Sequence, residues 1–255
     1  MSSQWADQPY PLISTLEFSL DKSHAAYYVA TEMALAHNGV IRGMNSIYLQ
    51  AANLPSNDLV TIQDFLTYCQ CWCESMQHHH DVEEEQFFPA IERISGVEGL
   101  MEDNVEQHQA FTPGFEKFHE CVKTCKPAEY DGQRIRDLIE EFSEPFTKHL
   151  REEIDSLRAL DVYDSDKIRQ AYKDFEKLMM QTDNYRIAPL VFGTADRSFE
   201  GGVHNFPSVP FFVPFLIDSI YGRRYRGAWR FNPCTISRDR RELAFVDKGR
   251  SYLNI

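Results

Sequence analysis

A chain of 255 residues, 43% apolar and 13% aromatic, carries enough apolar material for a buried core, which excludes a disordered segment. Its net charge of −13 argues against a nucleic-acid partner, and its most apolar stretch, residues 206–217, is broken by three prolines and too short to span a bilayer. The first fifteen residues show no positive run followed by an apolar one, so no secretory signal is expected and the expected location is cytoplasmic.

After an N-terminal arm over residues 1–20, residues 21–52 read as a long helix with Ala30, Met33, Ala34, Val40, Ile41 and Met44 on its apolar face. Leu54-Pro55-Ser56-Asn57-Asp58 breaks it and offers a cap for a second helix, which should end near Phe88 because Pro89 follows. A third helix is expected over 99–124, bent at Pro113-Gly114, and a fourth from Gly132 to about Leu160, bent at Pro145. Short turns between long amphipathic helices imply antiparallel neighbours, hence an up-down-up-down bundle over 21–160.

Residues 161–255 differ in texture. A fifth helix over 165–182 presents Ile168, Tyr172, Phe175, Leu178 and Met179; residues 193–214 are loop-like and aromatic. From Arg223 onward, nine Lys or Arg face three Asp or Glu, so this basic end is expected to pack back onto the acidic bundle. The expected fold is therefore all-α: a four-helix bundle with a fifth helix and an irregular, aromatic-rich C-terminal extension. The six cysteines include no C-x-x-C pair and read as reduced thiols.

Four histidines fall one to each bundle helix: His37, His79, His108 and His149. Glu83 and Glu153 each lie four residues after one of them, which puts both side chains on one helix face a turn apart. Imidazoles and carboxylates converging in a bundle core suit iron, manganese or zinc. The run His78-His79-His80 needs a choice of register. The His79 face carries Phe65, Tyr68, Trp72, Met76 and Phe87, whereas the His80 face takes in Cys73, Gln77 and Glu83 and reads wetter. The pattern selects His79 with Glu83 and leaves His78 and His80 as flanking residues. His24, His119 and His204 have no carboxylate four residues on and read as ordinary.

The segments AHNGVIRGMNSIYLQA, HHHDVEEEQFFPAIE, NVEQHQAF and HLREEI resemble the hemerythrin-like family, or HHE cation-binding domain. In that family H-x-x-x-E-E is followed by Phe-Pro, and Phe88-Pro89 fits the His79 register. The resemblance implies two iron ions in a non-haem centre, with Glu83 and Glu153 bridging and His37, His79, His108 and His149 as terminal ligands. Oxygen-carrying members have five histidines, two of them one turn apart on the third helix. Here the positions one turn from His108 are Asn104 and Thr112, which implies a four-histidine site with an exchangeable position.

Two functions fit this reading. One is an O2-dependent oxidoreductase acting on a small organic molecule, with Phe206, Phe211, Phe212, Phe215, Tyr221, Tyr225 and Trp229 of the extension as walls of a substrate pocket. The other is a protein that binds or senses O2, NO or iron, or serves in stress defence, without substrate turnover.

Overall fold

The computed structural model describes residues 5–16 and 18–246; the outer ends of the expected arm and extension, 1–4 and 247–255, lie outside the described residues. The described chain is helical, with α1 (Ala25–Ala51), α2 (Leu59–Val82), α3 (Phe88–Ser95), α4 (Glu102–Thr124), α5 (Gly132–Arg158), α6 (Ser165–Met179), α7 (Ala188–Thr194) and α8 (Val213–Ser219). None is long and apolar enough to cross a membrane. Starts are set by side-chain caps that accept otherwise orphaned N–H groups: Asp58 for α2, Asp131 for α5 and Asp164 for α6. For α1 the cap is the Nδ1 of His24, whose other ring nitrogen meets the Tyr163 carbonyl.

Four of these elements close a ring around the core: α1 packs on α2, α2 on α4, α4 on α5 and α5 on α1. Between α1 and α2 the contact is tight. A methyl group on Gly43 would lie 2.6 Å from Trp72 Cδ1, and the Trp72 indole donates to the Val40 carbonyl at 3.1 Å. Trp72 then sits among Phe115, Phe118, Phe142 and Phe146, which make the aromatic floor of the bundle.

Pro89 does not end the second helix. The helix continues through a wider π turn, Glu83–Phe87, into α3, which stops at Gly96 in the left-handed conformation (φ 70°). The cause is steric: a proline ring collides with the carbonyl one turn back and has no N–H to give it. The wider turn moves that carbonyl away, with the Phe88 N–H bonding Glu83 five residues earlier.

Helix α1 is buried nearly all round, its polar residues Asn38, Arg42, Asn45, Ser46 and Gln50 included. Asn38 exchanges two hydrogen bonds with the backbone of Ile13, at 2.7 and 2.8 Å, while Asn45 accepts from the Tyr10 N–H and donates to the carbonyls of Ala6 and Tyr10. Ser46 and Gln50 donate to the Phe231 carbonyl. Arg42 meets Asp7, which also pairs with Arg240, and Arg240 in turn holds the buried Asp196. The N-terminal arm and the basic C-terminal segment thus cover α1 together, while α6 lies against α1, α2, α3 and the π turn.

Candidate metal centre

Each bundle helix delivers one buried histidine to the middle of the ring, and α2 delivers two. His37, His79, His80, His108 and His149 are all buried, with Glu83 and Glu153 fully so. Their donor atoms gather in two groups. His37, His79 and Glu83 form one; His80, His108, His149 and Glu83 form the other. Glu83 reaches both, with Oε1 2.9 Å from His79 Nε2 and Oε2 3.8 Å from His108 Nε2. Glu153 Oε2 does likewise, 3.3 Å from His37 Nε2 and 3.8 Å from His149 Nε2. The two carboxylates thus each lie within reach of both groups of histidines.

The outer nitrogens of three rings are fixed by acceptors. His37 Nδ1–H donates to the Leu150 carbonyl at 2.8 Å, His108 Nδ1–H to Glu84 Oε1 at 2.7 Å, and His149 Nδ1–H to Gln107 Oε1 at 3.2 Å. Carbonyl and carboxylate oxygens only accept, so in each ring the proton sits on Nδ1 and the Nε2 lone pair faces inward. The bare Nε2 atoms of His108 and His149 are 2.9 Å apart, and that of His37 lies 3.4 Å from His79 Nε2.

This arrangement fits metal ions. Both oxygens of Glu83 and of Glu153, and Nε2 of His80, are buried without a hydrogen bond, a costly state for acceptor atoms unless a cation joins them. Burial, with the neighbouring imidazoles, holds His37 down at about 3 and His79 at about 4, and pushes His80 and His149 well below the ordinary range. Burial pushes Glu83 well up, and burial with the charge of Glu83 does the same for Glu153. Neutral imidazoles are ready as ligands, and two cations would offset the charge of the carboxylates. Nitrogen and oxygen donors without thiolate suit iron, manganese or zinc.

The structure brings together all six residues singled out from the sequence, and corrects one exclusion. His80 is not a flanking residue: it is 7% exposed, with its ring centroid 4.3 Å from that of His108 and 5.5 Å from that of His149. Neighbouring side chains on a helix point about 100° apart. His79 therefore turns toward His37 on α1 while His80 turns toward α4 and α5, and both reach the centre. Glu84 and Gln107 also escaped the sequence reading, since each acts on a histidine of another helix. Among the remaining histidines, His204 binds Glu200 and Thr15 on the surface loop.

Beside the cluster, a cleft of about 370 Å³ opens between α2 and α4, and both His80 and His108 line it. None of the aromatics expected to wall a pocket takes part. Phe211, Phe212 and Phe215 are 94%, 53% and 76% exposed, Trp229 is buried in the core, and Phe206 borders only a void of about 10 Å³ near Leu35 and His204.

Residues 29–160 match the Hemerythrin HHE cation binding domain. The chain belongs to that family. It is also similar to the dimeric xanthone biosynthesis cluster protein R11 of Cryptosporiopsis sp. (strain 8999), with 35% identity over 246 residues, which cover 95% of this chain and 93% of the relative. No solved structure matches it. The hemerythrin domain makes this a metal-binding protein, and the buried His/Glu cluster is consistent with a di-iron site.

Proposed function

We propose that this hemerythrin-family chain is a di-iron oxidoreductase that uses O2 to transform a small organic molecule. His37 and His79 would hold one ion and His80, His108 and His149 the other, with Glu83 and Glu153 in reach of each. Bound iron would supply the electrons that dioxygen accepts. The chain's own residues orient the imidazoles through Leu150, Glu84 and Gln107, and exclude water with Phe87, Phe111, Phe146 and Phe175.

The observation that carries this reading is the cleft, because two histidines of the cluster form part of its wall. A protein that only held metal has no need of a cavity that size beside its ligands. The relative's name, which places it in a biosynthesis cluster, points the same way. The exchangeable position inferred from four histidines no longer supports it, since a fifth histidine converges.

That fifth histidine favours a second reading, reversible binding of O2 or NO. The two readings separate in one experiment. A source strain lacking the protein should accumulate a precursor, and iron-loaded protein given that precursor should consume O2 in proportion to product formed. Reversible O2 uptake with the precursor left unchanged would decide for binding.

A further inference from the structure

The cleft has a size and a chemistry of its own. One water molecule takes about 30 Å³ of liquid volume, so a cavity of about 370 Å³ is far larger than a passage for a diatomic gas requires. It lies in the range of about 300–1,000 Å³ usual for organic ligands. Its inner wall is aromatic: Phe111 and Phe115 are buried there, and His80 and His108 stand at the metal end.

The rim carries several hydrogen-bond acceptors beside the amide groups of Gln77 and Gln109. Gln77 Nε2 donates to Asp81 Oδ1 at 2.8 Å, and both residues are exposed, so the pair keeps further oxygens able to accept. Glu84 gives one oxygen to His108 and keeps the other. Pro113, inside α4, has no N–H to return to the Gln109 carbonyl one turn back. Among the described residues that line the cleft there is no lysine or arginine. A carboxylate or phosphate group at this rim would meet Asp81 and Glu84 with no basic side chain to offset them, whereas an O–H group would find several acceptors.

We propose that the α2–α4 cleft binds a neutral, hydroxylated aromatic molecule, its ring against Phe111 and Phe115 and its hydroxyls on the Asp81, Glu84 and Gln109 rim. This rests on the oxidoreductase reading for its purpose and names the substrate class of that site.

Binding can be isolated from turnover with zinc-loaded protein, because zinc has no redox chemistry. The probes are 2-naphthol and its anionic counterpart 2-naphthoate, each followed by titration calorimetry. 2-Naphthol should bind at least tenfold more tightly than 2-naphthoate. Thr112→Trp, which fills the cleft from its wall, should weaken 2-naphthol at least tenfold with zinc content and helicity unchanged. Gln109→Trp serves as the second blocking variant, and Asp81→Lys should raise 2-naphthoate affinity several-fold. Equal affinity for the two probes, or 2-naphthol binding that survives both tryptophan variants, overturns the site. Failure of the oxidoreductase reading looks different: 2-naphthol still binds in the cleft, and no precursor is consumed with O2. Conversion of precursor unaffected by Thr112→Trp would instead remove the cleft and keep the enzyme.

Discussion

The Nδ1–H of His108 donates to Glu84 Oε1 at 2.7 Å, so a half-exposed carboxylate at the rim of the cleft orients a buried imidazole of the metal cluster. Such a partner fixes the tautomer and raises the basicity of the ligand nitrogen. Glu84→Gln should therefore lower affinity for the ion on the His108 side by about 10–100-fold, the range usual for loss of such a partner. Competition with a chelator of known affinity measures it. An unchanged affinity would mean that the hydrogen bond does not act on the site.

His80→Ala and His78→Ala make a matched pair, since the two residues are neighbours with opposite surroundings. His80 is buried among His108, His149 and Phe111, whereas the His78 ring leaves the core to meet the Leu178 carbonyl at 3.2 Å. Metal analysis should find one ion fewer in His80→Ala and the wild-type content in His78→Ala. Equal content in both would return His80 to a packing role.

Removing the metal should destabilise the fold, because it leaves Glu83 and Glu153 buried beside each other with no cation to offset their charge. Ligand at a hundred times its dissociation constant stabilises by about 2.7 kcal/mol. For a chain of this size that corresponds to a loss of about 5–10 °C in Tm on chelation. Calorimetry before and after dialysis against chelator would show it, and an unchanged Tm would argue that the cluster is relieved in some other way.

Glu32, outside the His/Glu cluster, gives a pH dependence of its own. Burial, with Glu176 nearby, pushes its carboxyl up from 4.5 to about 7. Between those values the unfolded chain releases a proton that the folded chain retains, so stability falls as pH rises through that window. Glu32→Gln removes the penalty. After allowance for its partial exposure, the variant should be about 1–2 kcal/mol more stable than wild type at pH 8 and nearly equal to it at pH 4.5. Denaturant titrations at the two pH values test this, and a gain at pH 4.5 would contradict it.

Asn38→Leu should cost about 2–3 kcal/mol, because it leaves the N–H and C=O of Ile13 buried and unpaired. Chemical denaturation reads the loss. A stability within about 0.5 kcal/mol of wild type would show that the arm is held elsewhere.

Much of this was legible in the sequence because it depends on helical pitch. The i, i+4 spacing of His79 with Glu83 and of His149 with Glu153 needs only the helix to be correct, and the four helices were readable from their apolar stripes. His80 was not, because a helix-face comparison assumes one winner. When the centre holds two groups of donors, residues about 100° apart can serve one each. Three consecutive histidines before Glu83 were the available signal. The cover on α1 was hidden for a related reason: Asn38, Arg42, Asn45 and Ser46 look like a solvated face, and their partners lie far away in sequence. Cleft walls likewise depend on how α2 and α4 face each other, which no single helix records.

The cover on α1 bears on how this protein could be trimmed. His37 shares its helix with Asn38 and Ser46, which are tied to residues from opposite ends of the chain, Ile13 and Phe231. A fragment cut down to the family-matched segment would strip both ends from the helix that carries His37. It would leave a seam of asparagine, arginine and serine where packed chain had been. The extension is thus no removable appendage, and expression of the minimal bundle alone should give a sticky, poorly metallated product.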